Sequence, residues 1–150
     1  MDKDYFQKFL EANIPSVSKM GYKLEHLSDE KAVAIAPLSE NSNHKGSAFG
    51  GGLYNCLVLS SYSWLYHWLE SRNHSTSIVI QSASIQYLRE ARDPQIEGIC
   101  DAPPPDILQR FESQLSQKKK ARILLEAKIL SADNQCLARM EGKFVVFEKS

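Results

Sequence analysis

Between Lys45 and Glu70 the chain carries no Asp, Glu, Lys or Arg, and this stretch opens with four glycines in the seven positions Gly46–Gly52. Apolar residues follow almost all the way round a helical wheel: Leu53, Tyr54, Leu57, Val58, Leu59, Trp64, Leu65, Trp68 and Leu69. A helix that is apolar on nearly every face belongs in an interior. The helix predicted over residues 50–70 must therefore be wrapped by the rest of the chain. Its most apolar stretch, Leu53–Leu69, contains Asn55, three serines and His67, and is too short and too polar for a membrane span.

The flanking segments supply the wrapper. Phe6, Phe9 and Leu10 recur at helical spacing, so residues 3–12 read as a short amphipathic helix that Ile14-Pro15 ends. Residues 20–27 and 31–36 read as two strands joined at Ser28-Asp29-Glu30, the second with Val33 and Ile35 alternating with alanines. Residues 38–46 are a polar loop. After His74 the period changes to two, which predicts a long strand over 76–89, with Ile78 and Ile80 on one face and Val79, Ala83, Ile85 and Tyr87 largely on the other. Another strand follows over 95–102, with Ile96, Gly98 and Cys100 on one side. Pro103-Pro104-Pro105 breaks the sheet, and Ile107, Leu108, Phe111 and Leu115 predict a short covering helix. Residues 120–131 alternate cleanly, Ala132-Asp133-Asn134 turns the chain, and residues 135–147 return. Runs of strands with segregated helices imply an antiparallel sheet covered on one face. The expectation is one α+β domain over residues 1–150, with about six strands curling around one helix.

Composition narrows the function classes. Lys plus Arg and Asp plus Glu both number 18, so the chain offers no basic field for nucleic acid. The three cysteines, Cys56, Cys100 and Cys136, are odd in number and lack C-x-x-C spacing. They read as small buried hydrophobes in a reducing compartment rather than as disulfides or a zinc site. The N-terminus lacks the apolar core of a signal peptide. These features together place the expected protein in the cytoplasm, away from membranes.

The informative segment is Asn43-His44-Lys45-Gly46-Ser47-Ala48-Phe49-Gly50-Gly51-Gly52-Leu53. It is neither a Walker A loop nor a G-x-G-x-x-G fingerprint. Glycines here let a ligand approach the backbone closely, and they leave N–H groups free at a helix N-terminus. Such a place suits a carbonyl oxygen that becomes negative during attack. Tight packing of the turn against the sheet is the alternative use of the same glycines.

The segment resembles the hot-dog fold thioesterases. Their phenylacetyl-CoA type has Asn-x-x-Gly-x-x-His-Gly-Gly before the central helix, and Asn43, Gly46, Gly50 and Gly51 fall on that pattern. With the later Ile85-Gln86-Tyr87-Leu88-Arg89, residues 46–54 look most like the thioesterase-like domain found behind an acetyltransferase domain in some bacterial proteins. The resemblance spans roughly residues 14–148. It implies a hot-dog fold and hydrolysis of an acyl-CoA or acyl-carrier-protein thioester by water, without metal or bound cofactor. It also implies a homodimer whose sheets join edge to edge, with sites at the subunit interface; some members pair dimers into tetramers. Two positions depart from the pattern: Phe49 replaces the His, and Val58 replaces the catalytic Asp. A non-catalytic acyl-thioester binding or regulatory module is the alternative that Val58 suggests. A dehydratase ranks last, because it needs a His and an acid that these positions lack.

Several side chains carry candidate roles. The N–H groups of Phe49 and Gly50 are placed to meet an oxyanion, with Gly51 and Gly52 admitting substrate. Asn43 either orients water or the thioester carbonyl, or caps its turn. His44 is a base at neutral pH or a solvated loop residue. Ser60 and Ser61, near the missing acid, either bind water or permit close helix packing. Gln81 and Ser82 interrupt an apolar strand and either reach the site across a dimer interface or make local contacts. Arg89, with Arg92 and Lys118–Lys120, offers charge-assisted bonds to phosphate or forms a solvated face. Cys56 has no adjacent base and reads as core.

Overall fold

The computed structural model describes residues 2–150; Met1, the first residue of the expected domain, lies outside the described residues. The first amphipathic helix, α1 (Lys3–Asn13), is capped by the Asp2 side chain and buries Phe6 and Leu10. A second helix, α2 (Pro15–Lys19), follows where the sequence reading has only a stop. Pro15 ends one helix and opens the next, because its fixed φ and missing N–H suit a first helical position. Strand β1 is confined to Lys23–Leu27. Met20–Tyr22 stay outside it, and Gly21 there has φ +72°. Strand β2 (Lys31–Pro37) leads through a one-turn 3₁₀ helix to the Gly-rich loop, and α3 spans Gly50–Glu70. Then come β3 (Thr76–Tyr87), β4 (Gln95–Asp101), α4 (Pro105–Lys118), β5 (Lys120–Leu130) and β6 (Cys136–Glu148).

The six strands form one antiparallel sheet in the order β1-β2-β4-β5-β6-β3, wrapped on α3 in the hot-dog manner. The alanines of β2 face inward: Ala32, Ala34 and Ala36 are fully buried, while Ile35 is only half-buried. Register places Ala34 opposite Gly98 and Ala32 opposite Cys100. A stripe of small residues thus crosses two strands, and α3 lies against it. Cys56 of α3 is buried there with its Sγ 3.4 Å from the Ala34 carbonyl. Burial pushes its thiol pKa up to about 12, so it is not a nucleophile. A Cβ at Gly98 would stand 2.8 Å from that sulfur and 3.1 Å from the Cys56 carbonyl oxygen.

Strand β3 lies at the end of the sheet with β6 on one side only. Its register slips between Ile80 and Ser82. This bulge switches the facing parity, so Ile85 joins Ile78 and Ile80 against the core instead of sharing a face with Val79. Helix α4 packs along β5 and brings Phe111 to Trp68 of α3, ring centroids 5.9 Å apart. Among the described residues, no helix is long and apolar enough to cross a membrane.

The C-terminal half of α3 holds a buried histidine. His67 Nε2 lies 3.2 Å from Asp29 Oδ1, and Trp64 Nε1 donates to the Asp29 backbone carbonyl at 3.0 Å. His67 Nδ1 is buried without a partner among the described residues. Burial lowers the His67 pKa from its ordinary 6.5, against the pull of Asp29.

Two predictions follow from this packing. Gly98→Ala forces α3 away from the sheet at a backbone contact and should cost about 1–3 kcal/mol in urea denaturation. For His67 the unfolded chain takes up a proton at a higher pH than the folded one. Its contribution is full above pH 6.5 and is lost as pH falls from there through the lowered folded value. His67→Gln should therefore flatten the decline of the urea midpoint on acidification below 6.5, compared with wild type.

Candidate active site at the start of the central helix

The loop before α3 is built on Asn41, a buried residue that sequence reasoning passed over. Its Nδ2 donates to the carbonyls of Met20 and Pro37, at 3.0 and 2.8 Å. Its Oδ1 lies 3.2 Å from the Tyr22 hydroxyl, which also donates to the Gly52 carbonyl at 2.7 Å. Burial raises the Tyr22 pKa far above its ordinary value, so the phenol stays protonated and keeps donating. Gly52 fits because a Cβ there would meet Asn41 Cβ at 3.0 Å. Asn41 therefore joins β2, α2 and the first turn of α3.

Residues 42–48 close as a small loop, with Ser42 and Ala48 bridged. Asn43 is spent on holding that loop. Its Oδ1 accepts from the Lys45 N–H at 2.8 Å and the Ser47 N–H at 3.3 Å, and its Nδ2 donates to Ser47 Oγ at 3.0 Å. Gly46 takes φ +81°, a left-handed turn that disfavours a side chain.

The helix start leaves two donors open. Phe49 is the N-cap, in extended conformation, and its side chain caps nothing. The Phe49 N–H donates to the Asn41 carbonyl at 2.8 Å, so it is not free to meet an oxyanion as the sequence reading expects. The Phe49 carbonyl in turn accepts from the N–H groups of Gly52 and Leu53, at 2.9 and 3.2 Å. The N–H groups of Gly50 and Gly51 have no acceptor among the described residues. They sit at the positive end of a 21-residue helix. The donor pair is therefore Gly50 and Gly51.

Aromatic groups flank this pair. The Tyr87 hydroxyl, from the end of β3, donates to the Gly50 carbonyl at 3.0 Å. The Phe49 ring is 62% exposed and covers the Cα of Gly51, where a Cβ would meet it at 3.0 Å. Along α3 the less buried stripe runs through Gly51, Tyr54, Asn55 and Val58. It continues to Tyr62 and Tyr66, where Phe6 of α1 stacks on Tyr66 and Phe9 lies tilted against it. Val58 thus sits on the open stripe that leads from the donors, and it brings no carboxylate.

The other expected residues are scattered. His44 is exposed on the loop next to Asn43. Ser60 and Ser61 are fully buried and their hydroxyls donate back to the Leu57 carbonyl, at 3.0 and 2.9 Å, so they serve close packing. Gln81 and Ser82 are both exposed on the edge strand, with Gln81 Oε1 accepting from Arg122 Nε at 3.2 Å. Arg89 is exposed and bonded to Gln135. Arg92 is exposed beside the loop, with Nη1 donating to the Lys45 carbonyl at 3.3 Å. Within one chain, Phe49, Gly50 and Gly51 come together with Tyr87, after the loop that carries Asn43 and His44; Ser60, Ser61, Gln81 and Ser82 do not join them.

Comparison with known proteins agrees with this architecture. The family model described as "Putative thioesterase (yiiD_Cterm)" matches residues 3–148. A crystal structure from Chlorobaculum tepidum, of a protein described as having unknown function, matches with a TM-score of 0.91 and 26% identity over 98% of this chain and 94% of that one. A structure described as a putative thioesterase from Shewanella oneidensis matches with a TM-score of 0.84 and 22% identity, over 95% of each chain. Thioesterase HI1161 from Haemophilus influenzae matches with a TM-score of 0.76 and 11% identity, over 99% of this chain and 92% of that one. The last two bear on the fold alone.

The Asn41 network generates a stability prediction. Asn41→Leu leaves two carbonyls without their donor in a buried place and should cost about 2–4 kcal/mol in urea denaturation. Asn43→Ala, on the exposed loop, should cost about 1 kcal/mol or less by the same measurement.

Proposed function

The chain belongs to the thioesterase family whose model it matches from residue 3 to residue 148, and from that premise we propose that it hydrolyses an acyl-CoA or acyl-carrier-protein thioester. The observation that carries this reading is the pair of unengaged N–H groups at Gly50 and Gly51. The thioester carbonyl oxygen accepts from both. Water attacks the carbonyl carbon, and the oxygen becomes an anion held by two donors and the helix dipole. Collapse re-forms the carbonyl and breaks the carbon–sulfur bond. The acyl group leaves as a carboxylic acid, and the proton released by water ends on the thiolate. Phe49 and Tyr87 form an apolar rim that keeps bulk water from the reacting carbon.

Val58 cannot accept the proton from water. His44, exposed beside the loop, is the candidate base from this chain, and Arg89 and Arg92 are candidates for the carrier's phosphates. A second copy supplies the remainder. Among the described residues the outer edge of β3 is unpaired, and Val79, Tyr87 and Leu88 are exposed on or beside it. Such an edge pairs readily with another strand. Gln81 and Ser82 share the outer face of the sheet with Arg122 and Lys143, away from the Gly50 and Gly51 donors, and take no part in this reading. The cysteines are all free, which fits a cytoplasmic enzyme.

A second reading rests on Val58 alone: a module that binds the acyl thioester without cleaving it.

Assay against a panel of acyl-CoAs and acyl-carrier proteins separates the two. Hydrolysis of at least one substrate is expected, and binding by calorimetry with no turnover at any chain length would establish the second reading. Gly50→Pro is the sharpest variant. Position 50 is the first of the helix and follows an extended residue, so proline suits the backbone there; it deletes the N–H and sets its ring beside Tyr87, whose ring stands 3.4 Å from an added Cβ. It should lower kcat about 10²–10³-fold with an unchanged melting temperature. Sedimentation should give a mass of at least two chains.

A further inference from the structure

Two tyrosines hold carbonyls of the glycine turn that opens α3, and they act on different peptide units. The Tyr22 hydroxyl donates to the Gly52 carbonyl at 2.7 Å. The N–H of that unit belongs to Leu53 and is already spent on the Phe49 carbonyl. The Tyr87 hydroxyl donates to the Gly50 carbonyl at 3.0 Å. The N–H of that unit belongs to Gly51, one of the two donors left unengaged among the described residues. Strand β3 aims the Tyr87 ring there through its bulge. Past the register slip between Ile80 and Ser82, Ile85 packs on the core and Gln86 turns outward to Arg139. Tyr87, next in the alternation, then faces α3, and without the extra residue it would point away. Its backbone is held independently of the side chain. Tyr87 pairs with Ala138 of β6, and the N–H groups of Leu88 and Arg89 donate to the Leu137 carbonyl at 2.8 and 3.1 Å. Further on, the Ala91 carbonyl accepts from the Ala48 N–H of the Gly-rich loop at 2.9 Å.

We propose that Tyr87 is a positioning residue for the oxyanion donor at Gly51, an inference that rests on the hydrolase reading above. Three successive glycines give the first turn of α3 little conformational preference of its own. A bond to the Gly50 carbonyl holds the plane of the Gly50–Gly51 peptide, and with it the direction of the Gly51 N–H. It also draws electron density toward the carbonyl oxygen, which leaves the Gly51 proton more positive and a stronger donor. Phenol, peptide and thioester oxygen then form one chain of hydrogen bonds, each group donating to the next. As negative charge grows on the thioester oxygen, the bond from Gly51 tightens, and the bond from Tyr87 tightens with it. The phenol therefore acts mainly in the transition state. It keeps its proton throughout and does not touch the substrate.

Tyr87→Phe in the full-length protein tests the proposal, because it removes the hydroxyl and keeps the ring. In the free protein the Gly51 amide nitrogen resonance should move upfield, well beyond any change at Gly50 or Leu53. On the acyl thioester that wild type hydrolyses fastest, kcat should fall about 3–10-fold, the worth of one neutral hydrogen bond, with KM little changed. The melting temperature should hold, since Tyr87 is exposed and its backbone anchors remain. Tyr87→Leu, which removes the ring as well, should lose at least as much kcat. The Tyr87 role is overturned if the Gly51 resonance stays in place in Tyr87→Phe while wild type turns over. It is equally overturned if Tyr87→Phe keeps the wild-type kcat and only Tyr87→Leu loses it, which would make Tyr87 a rim and nothing more. A Gly51 resonance that moves while wild type cleaves no thioester overturns the hydrolase reading, and the catalytic role of Tyr87 with it.

Discussion

The close approach of α3 to β2 and β4 is the constraint on which everything else depends. Ala32, Ala34 and Ala36 face the helix, and Gly98 gives it room. A sheet lined with large residues at these positions could not curl so tightly round a helix bearing Trp64 and Trp68, because interiors are packed without spare volume. The approach also fixes where α3 begins. With its middle pinned at Cys56, the first turn lies beside Asn41, whose carbonyl accepts from the Phe49 N–H, and Tyr22, whose hydroxyl donates to the Gly52 carbonyl, so two N–H groups stay unengaged among the described residues.

The same arrangement divides two kinds of polar group. Ser60 and Ser61 within α3 are buried and bond to their own helix, so they permit packing and offer nothing to a ligand. The polar groups near the helix start are mostly engaged with one another. Asn43 holds its loop and the Phe49 N–H holds Asn41. What stays free is backbone, at Gly50 and Gly51. The proposed chemistry therefore rests on oriented dipoles more than on side chains, which is compatible with Phe49 standing where the pattern it resembles has His.

Much of this was legible in the sequence. The uncharged run from Gly46 to Leu69 gave α3 to the residue, and the alternation of Ile123, Leu125, Ala127 and Ile129 gave β5 with its buried face. The misses have physical causes. Pro15 stops one helix and starts another, and only packing decides between those uses. Gln81 and Ser82 look like buried polar groups in need of partners, but β3 is the edge strand, and strand order is not written locally. The bulge at Gln81 also reversed the face of Ile85. Asn41 and Asn43 are indistinguishable as sequence, since both are loop asparagines two residues apart. Their different roles come from Tyr22 and the Met20 carbonyl, brought in from another part of the chain.

The central claim is that the Gly50 and Gly51 N–H groups receive the thioester carbonyl oxygen. Amide nuclear magnetic resonance tests it most directly, using an acyl-CoA analogue in which a methylene replaces the sulfur and the carbonyl is kept. Titration should shift the Gly50 and Gly51 amide protons downfield more than any others, while those of Phe49 and Gly52, already bonded within the chain, move little. Saturating binding that leaves the Gly50 and Gly51 amides in place would contradict the account.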